Sequence, residues 1–368
     1  MKYIILFLFF SIFSHSQISL GNDLRNNEIK KYDDGRINTF KNTETIFIFS
    51  NFIDKKIMED ILSKSWTVTP FSVVSINDFK MINYLNGDYS FATYQNQTLT
   101  FSKKKTHKNL SHVTLNNASS NNPNRSGTSG NIVNESDRTS TRSYYSNYFD
   151  FFLIDKESYT STSKRYEVFK NHRIEICNFL MSDNFLVYFD YFFSPSTFMT
   201  DLTSFNNDIY NNLYNEDFMY DNKPGFLLNN IQRINSFIEN ETKISAFSEF
   251  VNTESIKVLK DTKLIIPYEV YCYYDIRVLQ KKKNDYSKLN KKYDYDYEVL
   301  NSNLISDKIM KGEDFYYLKF NLIETDKILQ VVHSTDGGIL YSKRFSGMIE
   351  QLPNKAIEDL NNEIKNSN

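Results

Sequence analysis

Two stretches of the chain, 226 residues apart, carry the same pattern without a gap. FSVVSINDFKMINYLNGDYSFATY (71–94) lies over YEVLNSNLISDKIMKGEDFYYLKF (297–320). Phe71 falls on Tyr297, Val73 on Val299, Val74 on Leu300, Asp88 on Asp314, Tyr89 on Phe315 and Tyr94 on Phe320. Each stretch reads as a strand, a short helix, a Gly-acidic turn and a second strand. Upstream, Ile46–Ser50 lies over Leu264–Tyr268 at an offset of 218, which puts about eight extra residues into the second copy. Self-similarity at this scale points to a repeated supersecondary unit. A chain that repeats β-α-β predicts an α/β protein of two small mixed-sheet sandwich lobes, the product of an internal duplication. An α+β arrangement, and chance sharing of α/β rhythm, stay open as alternatives.

In the first lobe (44–200), Asp54 is placed to cap a helix that buries Ile57, Met58, Ile61 and Leu62. A second helix over Asn77–Leu85 is expected from the spacing of Phe79, Ile82 and Leu85, with Gly87 as its stop. Strands are expected at Tyr89–Tyr94, Phe149–Ile154, Ile174–Ile176 and Asn184–Phe193. Residues 102–147, rich in Ser, Asn, Thr and Gly, hold little to bury and read as a surface loop. Residues 201–255 read as a helical connector. Within it Gly225–Asn240 is amphipathic, with Leu227, Ile231, Ile234 and Ile238 in one stripe.

The C-terminal lobe (256–368) opens with a strand over Leu264–Cys272, where Pro267 argues for an edge or a bulge. The charged run Lys281–Tyr293 reads as helix or loop. Further on come strand Tyr297–Leu300, helix Leu304–Met310 ending near Gly312, and strand Phe315–Phe320. Ile328–His333 and Ile339–Ser342 flank Asp336-Gly337-Gly338 as a hairpin, and a helix over Ala356–Ile364 follows.

The first residues, MKYIILFLFFSIFSHSQ, have a basic Lys2, an apolar run of about ten residues, and small residues at Ser14 and Ser16. That is the form of a secretory signal peptide over 1–16, cleaved before Gln17, with a polar lead-in over 17–43. A membrane-spanning helix needs roughly 20 apolar residues, so no transmembrane segment is expected after cleavage. The expected location is periplasmic or extracellular. The net charge of −2 offers no electrostatic reason for nucleic acid as a partner. With 10 Gly and 6 Pro in 368 residues, glycine-rich phosphate loops are disfavoured too. The two cysteines, Cys177 and Cys272, lie in apolar, strand-like runs that read as buried thiols, with a disulfide between them as the alternative.

No pattern for catalysis, cofactor or metal stands out. Gly127-Thr128-Ser129-Gly130 lacks the strand and helix of a nucleophile elbow, and neither HExxH nor CxxC occurs. The histidines after the leader are His107 and His112 in the loop, His172 ahead of an alternating strand, and His333 at a hairpin mouth beside Asp336. Asp294, Asp296 and Glu298 alternate with Tyr293, Tyr295 and Tyr297, as on a strand with one carboxylate face and one tyrosine face. N-glycosylation sequons at Asn96, Asn109, Asn117, Asn124, Asn134 and Asn240 are what so Asn-rich a chain yields by chance.

Three features resemble uncharacterised exported α/β proteins of Bacteroidetes. These are the leader ending Ser-His-Ser-Gln, the segment Pro224-Gly225-Phe226-Leu227-Leu228-Asn229-Asn230, and the FYYLKF strand followed by a hairpin. The resemblance implies location and fold class, and no site residues. With no convergent polar residues and a chain rich in Tyr and Phe, the expected function is a non-catalytic envelope or secreted protein that binds a macromolecular partner. A hydrolase or glycan-active enzyme using inter-lobe carboxylates and a small-ligand carrier are the alternatives.

Overall fold

A computed structural model describes residues 18–19, 34–49, 53–75, 77–105, 138–155, 172–181, 189–190, 223–241, 248–275, 280–283, 289, 291–323, 326–346 and 352–367. Two mixed sheets form an α/β protein. The first is built from β1 (Ile18–Ser19), β2 (Glu44–Phe49), β3 (Phe71–Ser75), β4 (Tyr89–Lys105), β5 (Arg138–Ile154), β6 (Arg173–Met181) and β7 (Phe189–Asp190). Its order is β1-β6-β5-β4-β2-β3, with β7 beside β5. The second contains β8 (Phe250–Val251), β9 (Leu264–Pro267), β12 (Tyr297–Leu300), β13 (Tyr316–Ile323), β14 (Asp326–His333) and β15 (Ile339–Ser346), in the order β12-β9-β13-β14-β15-β8. A separate hairpin joins β10 (Cys272–Asp275) to β11 (Gln280–Lys283).

Both sheets have the same wiring. Three parallel strands, β3-β2-β4 in one and β12-β9-β13 in the other, are extended by two antiparallel ones, β5-β6 and β14-β15. Register agrees as well as order. Thr45 faces Phe71 and Ser90, and Leu264 faces Tyr297 and Tyr316, so the two flanking strands keep the offset of 226. Ser90 in turn faces Leu153, and Tyr316 faces His333. Even the irregularity is shared: the ladder slips between Phe151 and Phe152 in one sheet and between Val331 and Val332, two places before His333, in the other. The central strand pairs at 219 rather than 218. β2 is buried along almost its whole length, so no in–out alternation marks its register in the sequence.

Among the described residues the helices are α1 (Arg36–Lys41), α2 (Lys55–Ser65), α3 (Pro224–Glu239), α4 (Thr253–Ile256), α5 (Ser302–Met310) and α6 (Asn354–Asn366). Asp54 caps α2 as expected, its Oδ1 accepting from Lys56 N at 2.8 Å. Ile57, however, stays 39% exposed while Met58, Ile61 and Leu62 are buried. The helix expected over Asn77–Leu85 is a single 3-10 turn, Met81–Tyr84, and Ile82 is 53% exposed. Phe79 stacks on Tyr84 and meets Phe91 edge-on, so aromatic packing on the sheet replaces helical continuation.

Other expectations shift in bounds. The loop placed at 102–147 is strand at both ends, with Ser102 facing Thr141 and Lys105 facing Arg138. Ladder hydrogen bonds need no apolar side chains, and Thr and Tyr favour extended backbone. His107 and His112 lie outside the described residues, as does most of 184–193. The strand placed at Leu264–Cys272 breaks after Pro267 into a 3-10 turn (Tyr268–Tyr271) before β10. β9 is moreover central, but its pairing with β13 covers only Leu264 and Ile265, so Pro267 stands where the strand is locally an edge. The charged run over Lys281–Tyr293, expected as helix or loop, opens in strand β11.

Candidate functional site

α3 is the element through which the two lobes meet. Pro224 opens it, where a missing N–H costs nothing. The expected stripe is buried, but so is the opposite side: Phe226, Asn229, Asn230, Arg233 and Phe237 are all inaccessible. The helix is a core member with a sheet on either hand, not an amphipathic connector. Toward the first lobe, Asn235 Oδ1 accepts from Thr67 N (2.7 Å) and Val68 N (3.1 Å), and Asn235 Nδ2 donates to Thr67 Oγ1 (2.9 Å).

Toward the second lobe, Gly225 N donates to Ser306 Oγ of α5 at 2.9 Å. Phe226 meets Tyr317 edge-on at 5.3 Å. Tyr317 OH donates to Asn229 Oδ1 (3.1 Å). Lys319 Nζ and Arg233 Nη2 both donate to Asn230 Oδ1, at 3.0 and 3.1 Å. Both cations make further interactions beyond this shared oxygen. Beside them Asn321 Nδ2 donates to Gln330 Oε1 (3.2 Å), and Gln330 Nε2 to Ser342 Oγ (3.3 Å), all buried. Buried polar groups at a seam fix one docking geometry, since any slip leaves them unsatisfied.

The tip of the β14–β15 hairpin closes the seam. Ser334 O accepts from Asn229 Nδ2 (2.7 Å) and Thr335 O from Gln232 Nε2 (2.9 Å). Gly337, at φ +69°, sits so close to Asn229 that a Cβ would come within 2.4 Å of its carbonyl oxygen. At the base of the tip stands His333. Its Nδ1 is 3.0 Å from Asp336 Oδ1, its Nε2 is 2.7 Å from Asp314 Oδ1, and its ring stacks on Tyr316 at 4.9 Å. With a carboxylate on each nitrogen, the ring satisfies both only as the doubly protonated imidazolium. The Asp336 hydrogen bond raises its pKa; burial opposes that, and the Asp314 hydrogen bond adds to it. The sequence reading paired His333 with Asp336 and missed Asp314, although Asp314 was already aligned with Asp88 in the repeat. An imidazole held protonated by two carboxylates is a poor general base.

The first lobe carries a second buried charge cluster. Asp150, on the sheet face away from α3, accepts from Arg173 Nη1 at 2.6 Å, and the guanidinium lies 4.2 Å over the Phe152 ring. Burial pushes the Asp150 carboxyl up to about 6, against the pull of Arg173. Through the ladders, Thr93–Asp150–Asn178 occupies the places of Lys319–Gln330–Ser342 in the second sheet. The same face of both sheets is therefore polar at the first two of these points, with different residues.

Cys177 is a buried free thiol; Cys272's side chain lies outside the described residues. Tyr293 is buried while Asp294, Asp296 and Glu298 face solvent, as the alternation predicted. Only from Tyr297 onward is this segment strand. Among the described residues no group of three His, Cys, Asp or Glu is placed to hold a metal, and no helix is long and apolar enough to cross a membrane.

No family model, curated protein or solved structure matches the chain.

Proposed function

We propose that the chain is an exported protein, made with a leader over residues 1–16, that binds a macromolecular partner and performs no covalent chemistry. We propose further that its two lobes are copies of one unit, stacked so that a single helix lies between opposite faces of their sheets. One observation carries this reading. α3 rests on opposite, non-equivalent faces of the two sheets. Its first-lobe side joins Phe47, Phe151 and Ile176, whereas its second-lobe side joins Ile265, Tyr317, Val332 and Ile339. The ladder equivalences place Ile265, Tyr317 and Val332 over Ile46, Phe91 and Phe152, which lie on the other side of the first sheet. The lobes thus dock head to tail, as units of repeat proteins do.

A hydrolase of the kind expected from inter-lobe carboxylates would need an open cleft there. The space is instead filled by α3, and the polar groups named at the seam are amides, hydroxyls and cations.

The test is crosslinking of the tagged protein in its own cells, followed by mass spectrometry, with N-terminal sequencing of the recovered chain. One recurrent partner and a chain starting at Gln17 support the reading. A clean blank at good expression, or a chain still starting at Met1, speaks against binding and export respectively.

A further inference from the structure

We infer that His333, Asp314 and Asp336 form a pH-set clip that fastens the hairpin tip to α3 and so governs how firmly the two lobes are joined. The argument starts from position. Leu153 in the first sheet and His333 in the second are equivalent through their ladder partners Ser90 and Tyr316. The charged clip therefore exists only in the copy whose hairpin tip holds the seam helix. In that copy the turn after His333 offers α3 two carbonyls, Ser334 O and Thr335 O, and a close-packed Gly337.

The groups facing His333 are few and their charges act together. Asp336 comes from the turn itself, where its Oδ1 also caps Gly338 N at 2.8 Å. Asp314 comes from the connection between α5 and β13. Tyr316, stacked on the ring from β13, is neutral across the physiological range, its phenol raised by burial and by Asp314 and Asp336. Thr335 Oγ1 lies 3.2 Å from Nε2. Beyond it, Glu313 is paired with Lys308, and its carbonyl accepts from Ser334 Oγ at 2.7 Å. α3 faces the turn with the neutral amides of Asn229 and Gln232.

Protonated, the ring donates to both carboxylates and ties the turn to the start of β13. Once the proton leaves, one ring nitrogen becomes an acceptor pointed at a carboxylate oxygen, and one of the two ties becomes a repulsion. The turn then keeps only its Ser334 ties to Glu313 and Phe315, and its two carbonyls hold the α3 amides less firmly. Below the ordinary imidazole pKa of about 6.5 the clip is fully closed. As pH rises from there to the elevated value in the clip, the opening constant of the turn grows up to about tenfold per pH unit.

Hydrogen exchange of the full chain between pH 6 and 9, corrected for intrinsic exchange, tests this at residues 334–338 and 229–233. Wild type is expected to lose protection in both segments together across the His333 titration, which NMR of the imidazole locates. His333→Leu, which restores the residue type of the first copy, is expected to fold and to show protection independent of pH there. Asp314→Asn provides a second variant, expected to shift the loss to lower pH. Wild-type protection that stays flat while His333 titrates overturns the inference. So does an unchanged pH response in His333→Leu.

Discussion

Gly225 of α3 stands against Ser306 of α5 so closely that a Cβ on Gly225 would lie 2.3 Å from the Ser306 carbonyl oxygen. Both partners are backbone, so neither yields easily. Gly225→Ala is expected to force α3 and α5 apart and to cost roughly 1–3 kcal/mol, with the Gly225 N–H bond to Ser306 Oγ lost as well. Urea unfolding of the two proteins side by side measures it, and equal midpoints would contradict the close approach.

Gly312 and Gly337 separate backbone strain from crowding. Both have positive φ, +73° and +69°, but nothing lies within 4 Å of a Cβ at Gly312, while one at Gly337 would strike Asn229. Gly312→Ala is expected to cost about 1 kcal/mol, from the left-handed backbone alone. Gly337→Ala is expected to cost roughly 3 kcal/mol, since overpacking at the seam adds to the strain. Thermal unfolding ranks them, and a reversed order would place the seam elsewhere.

Asp150 sets a pH dependence of its own. Its folded pKa, about 6, lies above the ordinary 3.8 because burial disfavours the charge. Between these values the folded state binds the extra proton, so stability falls as pH rises from about 4 to about 6, by roughly 3 kcal/mol in all. Asp150→Asn is expected to flatten that slope while leaving any fall above pH 6.5, due to His333, in place. Denaturation curves at half-unit pH steps resolve the two.

Cys177 is buried, and its thiol is pushed far up by burial and by the nearby Asp150 charge. In a Cys272→Ala background, a thiol reagent at pH 8 is expected to find nothing to modify until denaturant opens the first lobe. Modification at the rate of a free thiol in the native protein would show that β6 is not covered as described.

Much of the fold was legible where apolar and polar residues alternate or helices carry stop signals. Phe71–Ser75, Tyr297–Leu300 and the Gly312 stop of α5 stand where the pattern put them. The shared offset of 226 survives as a ladder register. Legibility failed where burial is two-sided. β2 lacks alternation and its register slipped by one. α3 was read by its Leu and Ile stripe alone, because Asn229, Asn230 and Arg233 look like a solvent face until a second sheet with Tyr317 and Lys319 covers them. The seam was nonetheless present in the sequence as the Pro224–Asn230 segment. Its role was hidden because hydrogen-bond partners some 80 to 105 residues away leave no local periodicity. Asp314 was missed beside His333 for the same reason: nineteen residues of chain separate two groups that β-pairing brings together.

α3 also imposes an order on synthesis. The first sheet and the helix are complete before any residue of the second sheet has been made, so Phe226, Phe237 and the rest of the far side of α3 must wait uncovered. A nascent chain halted at that stage would expose a sticky helix and invite misassociation. Whatever escorts this polypeptide must therefore shield that one helix until β13 and the hairpin arrive to cover it.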